Sequence, residues 1–413
     1  MVMLIFLIIF FYFFDKVFSL RNLYNPLVFI VIYHFVFFYV GLFYKDIYSH
    51  ISISNTVVWL INYSFFGVFV GGILSRALFQ KIGKSYYRIP LANYDMSFNN
   101  YNIVIAYFFL VIAILLTIKL NYSNGGIVFL MDDIENSRIK LREGKGLITQ
   151  LIILFTTYGL LSAICYKRKS RLTTFLIVLV SLFLILTIGN RGPVLFLLLH
   201  VFLVYQVVYK KQFSYKYLAI IGFVLFLIMV ALGSLRVNHS ADFHLIFKFR
   251  FLWRPFVNIQ NFQMVLDYFP DKNPFLLGET YLVDFKMLFP GSNPNSGTFL
   301  KNLMNLDFDG GSLTPSYLGI SYVNFGYYGL FFSPIFLGFI ANSFYEIFVR
   351  NFNLSKPHLL ILLIIISNNF AAVIVSGFMT VIIQNMSIIL FVHVIYVIMV
   401  VLFKRTALSM IKK

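Results

Sequence analysis

Charge and cysteine are both scarce in this sequence. Only 12% of its 413 residues are charged, Asp and Glu together number 15, and Cys165 is the single cysteine. One cysteine excludes an intramolecular disulfide and a cysteine-cluster metal site. An ordinary soluble domain carries about 25% charged residues, so the composition argues against a water-soluble globular protein.

Apolar residues are correspondingly abundant. They make up 60% of the chain, and the mean hydropathy is +0.86. Because the bilayer core is about 30 Å thick, a crossing helix needs about 20 apolar residues. Apolar runs predict eleven crossings in a single all-α membrane domain over residues 1–413, at 1–14, 26–43, 56–75, 103–120, 147–166, 172–189, 192–208, 217–234, 318–341, 358–377 and 381–403.

The basic residues predict how these crossings are oriented. Of the 33 Lys and Arg, 19 lie in alternate connections with only three acids, whereas the other connections hold 14 basic and 12 acidic residues. Basic residues concentrate on the cytoplasmic side of membrane proteins. We therefore expect a cytoplasmic C-terminus. The formal net charge of +18 then reflects topology rather than nucleic-acid binding.

Two connections on the opposite side are longer than a link between helices requires. They are the extracytoplasmic loops 121–146 and 235–317, and the second is long enough to fold as a cap of interfacial helices. Long loops of this kind frequently carry function.

Several arginines are candidates for binding an anion at this surface. Arg191 stands between two predicted crossings with almost no loop, where an arginine is costly unless it is paired or hydrated. Arg236, Arg250 and Arg254 lie among aromatic residues of the long loop, and Arg142 lies in the shorter loop. The simpler interpretation is a snorkelling Arg191 and ordinary interfacial helices. The functional interpretation is a diphosphate or polyprenyl-phosphate site.

Candidates for acid or base chemistry are few. Glu279 and Asp284 lie close together in the long loop, His239 lies near Arg236, and each alone is more often a surface or capping residue. The sequence shows no His/Cys cluster, P-loop or serine nucleophile motif. We therefore expect no metal and no cofactor.

Three segments in a fixed order resemble the O-antigen polymerase (Wzy-type) family, the oligosaccharide repeat unit polymerases of bacterial surface polysaccharides. They are Gly189-Asn190-Arg191-Gly192-Pro193, Gly278-Glu279-Thr280-Tyr281 leading to Phe289-Pro290, and 310–316 running into Tyr322-Val323-Asn324-Phe325-Gly326. The family pattern leads us to expect a glutamate just before this last run, where the sequence has Gly319-Ile320-Ser321 instead.

The resemblance implies a GT-C-like glycosyltransferase of the bacterial inner membrane that acts in lipopolysaccharide biosynthesis, with its active site facing the periplasm. Such an enzyme transfers a growing glycan from undecaprenyl diphosphate to the next lipid-linked repeat unit, without metal. Cations must stabilise the departing diphosphate, and a base must accept the proton of the acceptor hydroxyl. We assign the first role to Arg191, Arg250, Arg254, Arg236 and Arg142, and the second to Glu279 in preference to His239.

The implied partners are undecaprenyl-diphosphate-linked oligosaccharide, membrane lipid and, as a candidate, a chain-length regulator protein, but not nucleic acid. Two other functions are open on the sequence. An O-antigen ligase has a similar layout, and a transporter of lipid-linked sugars would place polar residues in broken helices at the membrane midplane. Amides at Asn368, Asn369, Gln384 and Asn385 are the only hints of a transporter.

Overall fold

A computed structural model describes most of the chain. The described residues are 2–20, 22–43, 52–82, 101–131, 137, 141, 145–166, 171–189, 191–209, 214, 216–217, 220, 222–224, 227, 252–287, 289, 294–307 and 312–411. Within these ranges the regular elements are helices, and no strand is present. The predicted all-α class is therefore confirmed.

We number the helices in the order in which they occur along the described chain. In chain order they are α1 (Val2–Phe18), α2 (Pro26–His34), α3 (Val40–Phe43), α4 (Asn55–Ile82), α5 (Tyr101–Tyr122), α6 (Gly146–Ile164), α7 (Arg171–Leu186), α8 (Arg191–Val208), α9 (Trp253–Tyr268), α10 (Glu279–Lys286), α11 (Ser296–Leu303), α12 (Ser316–Asn351), α13 (Pro357–Ser376), α14 (Phe378–Thr380) and α15 (Ser387–Ile411). π-Helical turns, Phe35–Tyr39 and Val381–Met386, join α2 to α3 and α14 to α15.

Seven helical segments of the described chain are long and apolar enough to cross a membrane. They are Pro26–Phe43, Asn55–Lys81, Asn102–Tyr122, Gly146–Ile164, Ser316–Asn351, Pro357–Ser376 and Phe378–Phe403. Two apolar helices, Leu172–Leu186 and Gly192–Val208, are shorter. Every predicted crossing except 217–234, most of which lies outside the described residues, coincides with a helix. The number of eleven crossings and the folded cap remain predictions.

The chain divides into two compact units. The first comprises residues 1–89, 242–351 and 366–387, and the second comprises 90–241, 352–365 and 388–413. At the centre of the first unit, α4 and α12 pack with their backbones in contact. A Cβ atom added at Gly71 would overlap the carbonyl oxygen of Ile335, and one added at Gly338 would overlap that of Val68. Small residues commonly permit such close packing between membrane helices.

Buried amides and hydroxyls join the elements at one end of this helix pair. The Asn25 side chain donates to Asn342 at 3.0 Å, and Asn342 donates to the Ser75 hydroxyl at 3.1 Å. Arg350 near the end of α12 donates to the carbonyl oxygen of Phe79 and pairs with Glu346. These bonds satisfy polar groups that a bilayer would otherwise leave without partners.

The helix α12 is broken at Gly326. This residue has φ 60° and ψ −143°, a backbone conformation that glycine adopts far more readily than other residues. The break prevents the carbonyl groups just before it from accepting the bonds of a continuous helix. The backbone amides of Leu276 and Leu277 donate instead to the carbonyl oxygens of Val323 and Asn324, at 2.9 and 3.1 Å. The segment before α10 therefore completes the hydrogen bonding of a broken membrane helix.

The second unit is built on the pair α5 and α6, with α7 and α8 beside α6. Aromatic rings of Phe109, Tyr158 and Tyr396 fill its interior, with centroids 5.6 to 6.1 Å apart. At one end a buried apolar cluster contains Leu120, Val128, Leu141, Ile152 and Ile188. Two members, Val128 and Leu141, belong to the loop 121–146, so this loop packs on the helix ends.

Candidate functional site

A cluster of polar side chains in the first unit lies where α10 meets the broken helix α12 and the start of the last membrane helix. We call it the junction site and define it by Thr280, Tyr281, Asp284, Ser321, Asn324 and Thr380. Three of its members come from α10, two come from α12 before the break at Gly326, and Thr380 comes from the start of the last membrane helix. Interrupted membrane helices expose backbone groups and are recurrent positions for binding sites.

Asn324 binds the start of α10 to the broken end of α12. Its side-chain oxygen accepts from the backbone amide of Gly278 at 3.0 Å. Its side-chain nitrogen donates to the Thr280 hydroxyl at 2.5 Å and to the carbonyl oxygen of Ile320 at 2.8 Å. Both ends of this buried amide are therefore engaged, which holds α10 in one position against α12.

Asp284 is the buried carboxylate of the junction site, with 2% of its surface exposed. One of its oxygens accepts from the backbone amide of Ser296 at 2.8 Å, and the other accepts from the Thr380 hydroxyl at 2.6 Å. Burial raises the pKa of this carboxyl, and the bonds from Thr380 and Ser296 oppose that rise. Asp284 thus ties α10 and α11 to the last membrane helix.

Tyr281 and Glu279 are the outward groups beside this carboxylate. The Tyr281 hydroxyl lies 3.5 Å from that of Ser321, in the segment where the resemblance led us to expect a glutamate. Burial raises the pKa of the tyrosine. Glu279 is exposed in the first turn of α10. A helix N-terminus favours an acidic residue at that position.

The hydrogen bond between Thr380 and Asp284 carries a stability prediction. Thr380→Val keeps the shape but leaves a buried carboxylate oxygen without its donor, which typically costs about 1–3 kcal/mol. We expect Thr380→Val to lower the midpoint, the temperature at which half of the folded protein is lost. The purified protein is heated to a series of temperatures, and the remaining folded protein is measured by size-exclusion chromatography. Thr380→Ser should lower this midpoint less than Thr380→Val does. Thr380→Val should also lower the midpoint less in an Asp284→Asn background than in the wild-type protein. Equal midpoints for the valine and serine variants would contradict this role.

The second unit holds the hairpin tip that the sequence singled out. α7 ends at Leu186, Gly189 has φ 73°, and α8 begins at Arg191. Ile188 is fully buried in the cluster that also contains Leu141. Ile188, three residues before Arg191, therefore shares one buried cluster with Val128 and Leu141 of the loop 121–146.

The structure describes some of the predicted site residues and not others. Glu279 lies exposed at the junction site, and Arg191 begins α8 in the second unit. Arg254 lies in the first turn of α9 in the first unit, and only the backbone of these two arginines is described. The predictions for Arg142, Arg236, His239 and Arg250 fall outside the described residues. The meeting of these arginines at one diphosphate therefore remains a prediction.

Sequence reasoning missed the polar partners at the junction site. Thr380 and Ser321 are ordinary residues in apolar runs, and nothing in their spacing relates them to Asp284. Gly326, directly after Asn324 and Phe325, was the available signal because glycine permits a break in a helix. Within the described residues, no group of three or more His, Cys, Asp and Glu side chains could hold a metal ion.

The fold and the junction site define the class of protein to which this chain belongs. The chain is a multi-pass helical membrane protein in which a loop segment completes the hydrogen bonding of an interrupted helix. The family model described as O-antigen polysaccharide polymerase Wzy matches residues 1–406. Because the match spans almost the whole chain, the protein belongs to this family, and the resemblance seen in the sequence is confirmed. Neither the curated proteins nor the solved structures give a match.

Proposed function

We propose that this protein polymerises undecaprenyl-diphosphate-linked oligosaccharide repeat units of a bacterial surface polysaccharide. The observation that carries this proposal is the family match over residues 1–406. The growing glycan is transferred from its lipid diphosphate to the non-reducing end of the next lipid-linked unit. No observation favours the ligase or the transporter.

The reaction needs positive charge where the diphosphate leaves. The acceptor oxygen bonds to the anomeric carbon, and the bond from that carbon to the diphosphate oxygen breaks with its electron pair. Guanidinium groups match phosphate oxygens in geometry and charge. We assign this role to Arg191 and Arg142, supported by the buried cluster that contains Ile188 and Leu141, and to Arg236, Arg250 and Arg254 of the long loop.

The acceptor hydroxyl must lose its proton in the same step. Glu279 is our choice for the base over His239, because its carboxylate is exposed at a helix N-terminus beside the junction site. The neighbouring Asp284 is less suited, since both of its oxygens already accept hydrogen bonds from the protein. On this proposal Asp284 positions α10, and Glu279 receives the proton.

The remaining features of the proposal concern location and partners. The distribution of basic residues supports a place in the bacterial inner membrane with the C-terminus in the cytoplasm. The loops 121–146 and 235–317 then face the periplasm, where the lipid-linked units are joined. A chain-length regulator protein is a further proposed partner.

A ladder assay tests this proposal. Purified protein in lipid is incubated with undecaprenyl-diphosphate-linked repeat units, and products are separated by size. We expect a ladder that also forms in EDTA, since arginines carry the charge, and no ladder from Glu279→Gln because the amide cannot accept the proton. Single transfers to lipid A core would indicate a ligase, and an unchanged substrate would indicate a transporter. An active Glu279→Gln variant with an intact wild-type ladder would remove only the choice of base.

A further inference from the structure

The helix α10 buries its polar side and exposes its apolar side, which is the opposite of a surface helix on a soluble protein. Its inward side carries the polar residues Thr280 and Asp284, which are 0% and 2% exposed. Its outward side carries Leu282 and Phe285, which are 63% and 46% exposed, and Phe289 just beyond it is 57% exposed. A surface helix in water normally presents polar residues to solvent and buries its apolar face.

Leaving this outward side in water would be unfavourable. Removing a large apolar side chain from water stabilises a protein, and three such side chains lie close in sequence on this side. The exposed charged residues stand at the two ends of α10, Glu279 at the start and Lys286 at the end, whereas Asp284 points inward. An apolar middle with charged ends is typical of helices that lie in a membrane interface.

The contacts of α10 set its depth relative to the membrane helices. Its first turn is bound through Gly278 to Asn324, two residues before the break in α12. Its second turn is bound through Asp284 to Thr380, in the first turn of the membrane segment Phe378–Phe403. That segment has 26 residues. Because a helix rises about 1.5 Å per residue, the segment is longer than the thickness of the hydrocarbon core, which is roughly 30 Å. Its first turn, and α10 with it, therefore lies near one boundary of the bilayer.

The outward side of α10 also continues into a lipid-facing surface. The Tyr281 ring lies 6.0 Å from that of Phe325 on α12, which is 43% exposed. Tyr328 and Phe332, on the following turns of α12, are 79% and 59% exposed. The latter two belong to a segment that is long and apolar enough to cross a membrane, and the ring contact between Tyr281 and Phe325 joins α10 to this exposed apolar side of α12.

We propose that α10 is an in-plane membrane helix, with Leu282, Phe285 and Phe289 inserted into the acyl boundary of the bilayer. The occupant of this face is membrane lipid rather than another protein. The inference does not depend on the proposed function. It places Asp284 and Glu279 at the depth of the lipid headgroups, where the diphosphate of a lipid-linked substrate would also lie.

Site-directed spin labelling tests this placement in the full chain. Cys165 is the single cysteine and is buried, so Cys165→Ala provides a background for Leu282→Cys and Phe285→Cys. The labelled proteins are reconstituted in bilayers, and accessibility to oxygen is compared with that to a water-soluble nickel complex. Phe332→Cys in the membrane helix and Asp271→Cys in an exposed turn calibrate the scale.

We expect the oxygen-to-nickel ratio at 282 and 285 to approach that of Phe332→Cys and to exceed that of Asp271→Cys. A ratio equal to the Asp271 value would place α10 in water and overturn the proposal. Protection from both reagents would indicate a protein contact, such as a second copy of the chain, and would overturn it equally. If a cysteine variant does not fold, brominated lipids must quench the fluorescence of the tryptophan introduced by Leu282→Trp. Absence of this quenching would overturn the proposal.

Discussion

Arg191→Ala is expected to abolish chain elongation while the protein still inserts into the membrane. Arg191 begins α8 at a hairpin tip, three residues after Ile188, which shares a buried cluster with Val128 and Leu141. On the proposed mechanism its guanidinium stabilises charge that develops on the departing diphosphate. Removing one such donor typically lowers a rate by about 10²–10³-fold, which would leave single repeat units where the wild type makes long chains.

The measurement is the size ladder of surface polysaccharide in cells lacking the wild-type protein, with membrane content followed by a C-terminal tag. Arg191→Lys should keep part of the activity, since it retains the charge without the two-pronged geometry. Arg168→Ala is the matched control, because Arg168 belongs to a connection that we interpret as a topology signal. Normal long chains from Arg191→Ala would remove this residue from the site.

Gly71→Leu is expected to prevent recovery of folded protein. A Cβ at this position would overlap the carbonyl oxygen of Ile335, so even Gly71→Ala must push α4 and α12 apart. Overpacking usually costs about 1–3 kcal/mol when side chains can adjust. A backbone atom cannot move aside alone, and we expect the alanine variant to exceed this range.

Gly72→Ala is the matched control on the neighbouring residue of the same helix. Its added Cβ would meet only the side-chain ends of Leu27 and Phe18, at 2.5 and 2.9 Å, and these can rotate away. Both variants are compared by the yield of monodisperse protein after detergent extraction. The packing argument fails if Gly71→Ala and Gly72→Ala give the same yield.

The membrane helices could be predicted from the sequence because hydropathy is a local property. A run of about 20 apolar residues is explained by the bilayer whatever its neighbours are, and the helices at 26–43, 103–120 and 358–377 follow their apolar runs closely. The hairpin before Arg191 was readable for the same reason, since glycine and proline mark a turn within a few residues.

The junction site could not be predicted in the same way. Asp284 and Thr380 are 96 residues apart, and Asn324 and Thr280 are 44 apart, with no charge pattern relating either pair. The sequence named Asp284 and Glu279 together as candidates. Only the contacts distinguished a buried carboxylate with both oxygens engaged from an exposed one at a helix N-terminus.

The sequence by itself determined that this chain is helical, that it crosses a membrane repeatedly and that it resembles one polymerase family. Those properties follow from composition, apolar runs and short motifs, each of which depends on neighbouring residues. The tertiary structure alone decided that α12 breaks at Gly326, that loop residues complete its hydrogen bonds and that α10 turns its apolar side outward. The physical reason is that a polar group in a membrane protein must find a partner in space, and the chain distance to that partner leaves no local signal.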